Sequence, residues 1–527
     1  MSKMDMSKLK NCIWPVVVGG IFCLLIIAEP NMSITMCMAM LMVIMLFIGG
    51  MKAKYFLCGL TAIAMAACTD KPEPEKPPQQ QPEPEPEVNT EIVWDEGVQY
   101  VWDDAYIPEI TIEVPVEQWN NLLKAYDKNQ HTEEYVHCNV KYDRGGEITY
   151  IEDAALRLRG NTSRVRPEGS HGQMHEKDKA DWHKCHFGLN FRKYNKDDEH
   201  TIKGIRKLHL KWFKEDPSHV RELFCYDLFK RAGIWTGLQD IYCRVWVHVE
   251  GDSKPAYFGV YNMLERVDDH YVKRRVAKFG SDEGNLWKCV VGADFRNIDP
   301  GKIGPDSDDK DFPYELKENE GTFEEAAAQL KNFILNVSQL NDEDFYKWIQ
   351  RVCDVELLLK TYAVNVALGM WDDHWNNSNN FYIYFNSNSS RDYKFFFIPY
   401  DYDNTLGTSH VCGAQTDSGR HDPYKWGNQG ILIERLLKYD DFREIYRAEL
   451  MRMIDPANGF MDYDSAVARI RDWHGRIQGM TSNDTGDGME IKDRPASWGN
   501  HHEYRLLDPD PNVNFFKVKA ETIKKMK

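Results

Sequence analysis

The chain has 527 residues, of which 42% are apolar and 12% aromatic, enough to bury a large hydrophobic core in one or two domains. Its net charge of −17 is repelled by phosphate backbones, so nucleic acid is excluded as an expected partner. The 12 cysteines include no C-x-x-C pair, which argues against a zinc ribbon.

Three apolar runs precede Cys68, and the third has the form of an export signal. Lys52 and Lys54 are followed by a short apolar stretch and then by small residues before Cys68. Residues 51–68 are therefore predicted to be a lipoprotein signal peptide, with Cys68 as the lipidated residue. Residues 1–50 are a doubtful extension: either translation starts at Met51, or residues 12–49 form a membrane hairpin.

The next segment, residues 69–90, contains seven prolines and five glutamates. It has too little apolar surface to offset the entropy lost on folding, so it is predicted to be an extended tether. The folded domain is then expected to occupy residues 91–527.

The domain begins with strand patterns and continues with helical ones. Residues 110–114, 156–159 and 245–249 alternate apolar and polar side chains, as strands do. Later, Thr322 and Glu325 predict a capping box, and helices are predicted over residues 354–369 and 431–454. Strands first and helices after favour an α+β domain of two lobes, with a β-rich N-terminal part and a helical C-terminal part.

The densest polar cluster, residues 371–380, lies between the helix predicted at residues 354–369 and an apolar strand. A second apolar strand ends at Asp401 and Asp403. If the two strands form a hairpin, residues whose numbers sum to about 780 face each other, so Asn380 lies opposite Tyr400 and Asp401. Carboxylate and amide oxygens gathered in this way suit Mg²⁺ or Mn²⁺.

Protein kinases use the same order of a loop Asp, an Asn and a later Asp, where the first Asp orients the acceptor hydroxyl and the other two residues hold metal. The literal H-R-D and D-F-G motifs are missing here. Turns and helix caps, which also collect Asp and Asn, are the alternative interpretation of these residues.

These residues resemble the spore coat protein H family, the CotH kinases, and the resemblance covers about residues 105–475. It is carried by Asp372 or Asp373 followed by residues 379–384, by residues 400–407, and by several other segments. The further matching segments are Arg159 to Arg164, Lys184 to Phe191, Asp216 to Arg221, Gly259 to Glu265 and Gly284 to Lys288.

The resemblance implies an atypical protein-kinase-like fold and ATP-dependent phosphorylation of Ser or Thr in a protein substrate. By position, it implies a catalytic Asp at Asp372 or Asp373, of which Asp372 is preferred because the family has an aromatic residue before its Asp, as Trp371 is here. It implies Asp401 as the principal metal ligand, with Asn380 and Asp403 beside it.

Four cations are candidates to hold ATP phosphates: Lys184, Lys211, Arg221 and Lys288. Glu265 is the candidate partner for such a lysine, since kinases require a lysine–glutamate pair, and a structural salt bridge is the alternative for it. His186 and Gly188 stand where the family often has further lysines, so this strand is less basic than the family pattern.

The sequence therefore predicts a Mg²⁺- or Mn²⁺-dependent kinase that is anchored to a membrane through Cys68 and is periplasmic or at the cell surface. The alternative is a surface binding or assembly lipoprotein that keeps the kinase-like scaffold without turnover. A glycosidase with paired carboxylates is a weaker third hypothesis.

Overall fold

The computed structural model describes residue 92 and residues 94–214, 216–307, 312–319, 321–408, 417–495 and 504–526. The predicted signal peptide, Cys68 and the tether lie outside these residues. Among the residues that are described, no helix is long and apolar enough to cross a bilayer.

Strands from the first part of the described chain close into a barrel in the order β1-β2-β3-β4-β5-β7-β6, with β6 parallel to β1. The alternation predicted for residues 110–114 and 245–249 is confirmed, because every second residue there is buried and fills the barrel, whereas Leu156, Arg157 and Leu158 are buried in succession. The strands are β1 (Glu109–Val114), β2 (Val136–Arg144), β3 (Glu147–Arg159), β4 (His186–Asn190), β5 (Lys207–Lys211), β6 (Asp240–Val249) and β7 (Ala256–Leu264).

A second sheet has the strand order β12-β11-β8-β10-β9. The two strands of this sheet that come last in the sequence, residues 381–385 and 395–399, form the predicted hairpin. Its register is confirmed, since Phe381 faces Pro399 and Tyr382 faces Ile398. The strands are β8 (Asn285–Cys289), β9 (Ile303–Pro305), β10 (Tyr314–Glu318), β11 (Phe381–Phe385) and β12 (Phe395–Pro399).

Helices lie before, between and after these strands and extend close to the end of the described chain. They are α1 (Glu96–Val101), α2 (Val116–Lys128), α3 (Arg221–Arg231), α4 (Asp269–Arg274), α5 (Val276–Phe279), α6 (Phe323–Gln339), α7 (Asp342–Val352), α8 (Val355–Ala367), α9 (His374–Asn377), α10 (Leu432–Leu436), α11 (Asp440–Ile454), α12 (Tyr463–Ile477) and α13 (Phe515–Lys524), with 3-10 turns at Pro300–Lys302, Pro423–Lys425 and Pro456–Asn458.

Two of the three helix predictions are confirmed. Thr322 and Glu325 form the capping box that starts α6, and Asp354 caps α8. The single helix predicted over residues 431–454 is wrong, because it is two helices, α10 and α11. The chain is extended at Tyr439, and the two aspartates that follow begin the new helix, where negative charge is favoured.

The fold is therefore α+β, with a β-rich N-terminal part and helices in the C-terminal part, as predicted. The separation is less strict than the pattern suggested, since α2 and α3 interrupt the barrel strands and five strands follow Glu265. One apolar cluster fills the barrel, and a larger one joins the second sheet to the helices. Six cysteines in the described chain are free and buried, and behave as small apolar side chains.

Phe333 tests how the second core is held. Its fully buried ring on α6 packs on the rings of Phe295, Trp348, Phe385 and Phe395. Phe333→Ala is expected to lower the free energy of unfolding by about 3–5 kcal/mol because it leaves a cavity, and Phe333→Leu should lower it less. Urea unfolding measures both changes, and an alanine variant as stable as the wild type would contradict this packing.

Candidate active site

The open end of the β11–β12 hairpin is bordered by two residues with left-handed backbone. Asn380 precedes β11 with φ 55°, and Asp401 follows β12 with φ 66°. Residues other than glycine rarely adopt such backbone angles, although Asn and Asp tolerate them best. Residues held in this conformation cluster at functional sites. The amide of Asp401 is fixed by donating to the Tyr226 hydroxyl at 3.1 Å.

Three asparagine side chains surround the carboxylate of Asp372. Asn377 and Asn379 donate to its Oδ1 at 2.5 and 3.0 Å, and Asn380 donates to its Oδ2 at 2.9 Å. Burial raises the pKa of Asp372, the amides oppose that rise, and the nearby charge of Asp401 adds to it. Asp372 is thus held in one orientation next to Asp401.

Asp373 has a different task, because it caps α9. Its Oδ1 accepts from the Asn376 amide at 2.7 Å, its Oδ2 contacts Asn365 Nδ2 at 2.6 Å, and the residue is only 4% exposed. Burial raises its pKa to about 8. Of the two predicted catalytic candidates, the geometry favours Asp372, since Asp373 faces the interior.

Lys211, at the end of barrel strand β5, joins the acidic residues. Its Nζ lies 2.8 Å from Glu222 Oε1, 2.5 Å from Asp401 Oδ1 and 3.8 Å from Asp403 Oδ2. Burial alone would lower the pKa of this lysine, but the carboxylates hold it well above the usual value. The ammonium is therefore a fixed positive charge between the barrel and the second sheet.

The three carboxylates around Lys211 respond differently. Burial tends to raise the pKa of Asp401, but Lys211 outweighs it and the pKa is lowered. Burial and the charge of Asp401 hold the pKa of Asp403 well above its usual range, and burial raises that of Glu222. Asp401 is thus the ionised carboxylate. For Asp403 and Glu222, the charge of Lys211 does not fully offset the effect of burial on the pKa.

Glu265 is not the partner of this lysine, which corrects the prediction. It is fully buried and forms a two-pronged pair with Arg275 at 3.0 and 2.7 Å. Such a pair is structural, as the alternative for this residue proposed. The lysine's partner is Glu222 on the first turn of α3, which sequence reasoning missed although it directly follows the Asp216 to Arg221 segment.

Arg221, a predicted phosphate ligand, is fully buried and has all its donors in use. They bond to Asp216, to Ser218, and to the carbonyl oxygens of Thr405, Leu406 and Arg494. No donor remains for a phosphate, so this prediction is corrected. Arg221 instead ties the start of α3, which carries Glu222, to the loop that follows Asp403.

The two remaining predicted phosphate ligands, Lys288 and Lys184, have different surroundings. The predicted role of Lys288 in holding phosphates stays a prediction, but this lysine on β8 helps to lower the pKa of Asp401. So does Arg159, which sequence reasoning did not assign, and its Nη2 donates to the Tyr400 hydroxyl at 3.0 Å. Lys184 lies elsewhere, packed against Gly259, where an added Cβ would be 3.0 Å from its Nζ, and burial lowers its pKa to about 8.

The oxygens at this site have the chemistry of a hard-cation site. The side chains of Asp401 and Asp403 are one-third exposed, and the covered Oδ1 of Asn404 has no hydrogen-bond partner among the described residues. Within the described ranges, no three His, Cys, Asp or Glu side chains form a ready-made metal cluster. The neutralising cation in this structure is the Lys211 ammonium, so a metal ion would have to share Asp401 with it.

A family model described as CotH kinase protein matches residues 156–505. Over 366 residues the chain is 22% identical to Invasin CotH2 of Rhizopus delemar, covering 67% of this chain and 54% of that protein. Over 290 residues it is 24% identical to the inner spore coat protein H of Bacillus subtilis, covering 51% of this chain and 69% of that protein. The chain thus spans about half the length of the first relative. The matched range starts within β3 and includes every residue of the site described above.

The raised pKa of Asp373 predicts a pH dependence of stability. The folded chain keeps the Asp373 proton up to about pH 8, whereas an unfolded chain loses it near pH 4. Between these values the folded state binds more protons, so stability falls as pH rises. Asp373→Asn keeps a capping side chain without this proton, and its free energy of unfolding should fall less from pH 4 to 8.

Urea unfolding at several pH values measures this effect. Asp354→Asn, the same change at the exposed cap of α8, is the control and should run parallel to the wild type. A profile of Asp373→Asn that is also parallel to the wild type would contradict a buried, protonated Asp373.

Proposed function

The chain belongs to the CotH kinase family, and from that premise we propose that it transfers the terminal phosphate of ATP to a Ser or Thr hydroxyl of a protein. The observation that carries the proposal is Lys211, held between Glu222 and Asp401. Protein kinases depend on a lysine–glutamate pair and on an Asp that binds metal, both in place at once.

The positions of these residues in the fold support a kinase-like, two-lobed arrangement. Lys211 belongs to the barrel and Glu222 to the helix α3 inserted between barrel strands, whereas Asp401 follows a strand of the second sheet. In kinases the lysine and the glutamate come from one lobe and the metal-binding Asp from the other. We therefore assign the barrel to the N-terminal lobe and the second sheet with its helices to the C-terminal lobe.

Mg²⁺ or Mn²⁺ is the proposed metal, held by Asp401 with Asp403 and Asn380. The support is the donor chemistry: carboxylate and amide oxygens, the unpartnered Asn404 Oδ1, and the raised pKa of Asp403. A bound divalent ion would neutralise charge on the phosphates of ATP.

Asp372 is the proposed catalytic residue. The acceptor hydroxyl oxygen forms a bond to the terminal phosphorus as the bond to ADP breaks, and Asp372 orients the hydroxyl and receives its proton. Its raised pKa suits that role, and its three asparagine donors keep it in one orientation. Lys211, Lys288 and Arg159 supply the fixed positive charge that a phosphoryl group requires.

Membrane anchoring through Cys68 remains part of the proposal and rests on the signal-like segment of residues 51–68 alone. It would hold the domain at a membrane surface by the tether of residues 69–90. The protein substrate would then be another exported protein, and ATP would have to reach the site from outside the cytoplasm.

Two substitutions separate the proposed roles. Asp372→Asn should lower the rate of phosphate transfer roughly 10²- to 10⁴-fold while leaving nucleotide binding intact, because it removes only the proton acceptor. Asp401→Asn should abolish metal-dependent nucleotide binding as well. Transfer is followed with labelled ATP and Mg²⁺ or Mn²⁺, and nucleotide binding by calorimetry, with Asp354→Asn as an exposed control.

Wild-type protein that neither transfers phosphate nor binds ATP in a metal-dependent way would contradict the kinase proposal. It would favour the alternative, a surface binding or assembly lipoprotein that retains the scaffold. Equal loss of nucleotide binding in both variants would contradict the separate roles of Asp372 and Asp401.

A further inference from the structure

One asparagine lies among apolar side chains in the last turn of helix α8. The sequence neighbours of Asn365, residues 362–364 and 366–368, are apolar or aromatic and buried, and Asn365 itself is 3% exposed. Asparagine is a weaker helix former than alanine or leucine, and a buried amide is costly unless it is hydrogen-bonded. Since an apolar residue would suit this position better, the amide points to a requirement other than packing.

The Asn365 amide uses both of its ends. Its Oδ1 accepts from the Tyr402 hydroxyl at 2.8 Å, and its Nδ2 donates to Asp373 Oδ2 at 2.6 Å. Tyr402 is 2% exposed and Asp373 4%, so water cannot take the place of the amide without a rearrangement. A side chain that carries both an acceptor and a donor is needed to satisfy the two partners.

The two partners of Asn365 belong to the two halves of the candidate active site. Tyr402 directly follows Asp401, the proposed metal ligand. Asp373 directly follows Asp372, the proposed catalytic residue. The amide therefore joins the loop proposed to bind metal to the turn that carries the proposed proton acceptor.

Each partner is also held by its own segment. The carbonyl oxygen of Tyr402 accepts from Thr405 Oγ1 at 2.8 Å. Asp373 Oδ1 accepts from the Asn376 amide at 2.7 Å, and Asn376 Nδ2 donates to the Trp371 carbonyl oxygen at 2.8 Å. Because the loop and the turn are each tied internally, the amide between them fixes one segment relative to the other.

We propose that Asn365 is a positioning residue, which sets the separation between the Asp372 carboxylate and the metal ligand Asp401. Reaction rates depend steeply on such separations, and a misplacement of about 1 Å can lower a rate roughly 10²-fold. This role rests on the proposed phosphate transfer and adds to it a buried residue that acts only through its two partners.

Steady-state kinetics of phosphate transfer tests this role. Asn365→Leu removes both hydrogen bonds and should lower kcat roughly 10- to 100-fold. The KM for ATP and the calorimetric Kd for nucleotide with Mn²⁺ should change little, since Asp401 keeps its contacts with Lys211 and Tyr226. Tyr402→Phe removes one of the two bonds and should lower kcat less, and adding it to Asn365→Leu should lower kcat no further.

Asn285→Leu is the matched control. Asn285 is also buried, and its Nδ2 donates to Gln329 Oε1 at 2.8 Å, at the end of β8 that pairs with Phe385 and lies away from the candidate site. In urea unfolding this variant should lose stability as Asn365→Leu does, but its kcat should equal that of the wild type.

An Asn365→Leu variant with the wild-type kcat would overturn this role and leave the kinase proposal standing. An equal fall of kcat in Asn285→Leu, or effects of Asn365→Leu and Tyr402→Phe that multiply, would overturn it too. If Asn365→Leu does not fold, a lowered kcat of Tyr402→Phe supports the role and an unchanged one overturns it. A wild-type chain without phosphate transfer would overturn the kinase proposal and this role together.

Discussion

Lys211 carries its ammonium from barrel strand β5 to the end of β12, where it meets Asp401, and its second partner, Glu222, comes from the first turn of α3. Three separate elements therefore meet at one charge. Without that charge, carboxylates taken partly out of water would face each other uncompensated, which is strongly unfavourable. Lys211 lies closer to Asp401 than to Asp403, so burial and the charge of Asp401 leave the pKa of Asp403 raised.

The surroundings keep these groups in place at some energetic cost. Arg221 is buried at the start of α3 and binds the carbonyl oxygens of the loop after Asp403, so helix and loop cannot move independently. Asn380 and Asp401 adopt left-handed backbone on either side of the hairpin opening. Strain of this kind persists only where the surroundings enforce it, which is typical of sites where exact placement of side chains matters.

The hairpin and its register could be predicted from sequence, because strand periodicity and a polar turn define which residues face each other. Pairing between distant side chains could not. Glu265 and Glu222 both stand near strand or helix ends, and only the path of the chain shows that Arg275 meets the first and Lys211 the second. Arg221 was assigned to phosphate for the same reason, since a motif reveals a charge but not its burial.

The most direct test of the account is a crystal structure of the chain with Mn²⁺ and a non-hydrolysable ATP analogue, in which anomalous scattering locates the metal. Mn²⁺ is expected to be bonded to Asp401, with Lys211 still paired with Glu222 but moved from Asp401 toward the phosphates. Mn²⁺ and nucleotide bound elsewhere, with the Lys211–Asp401 pair intact, would contradict it.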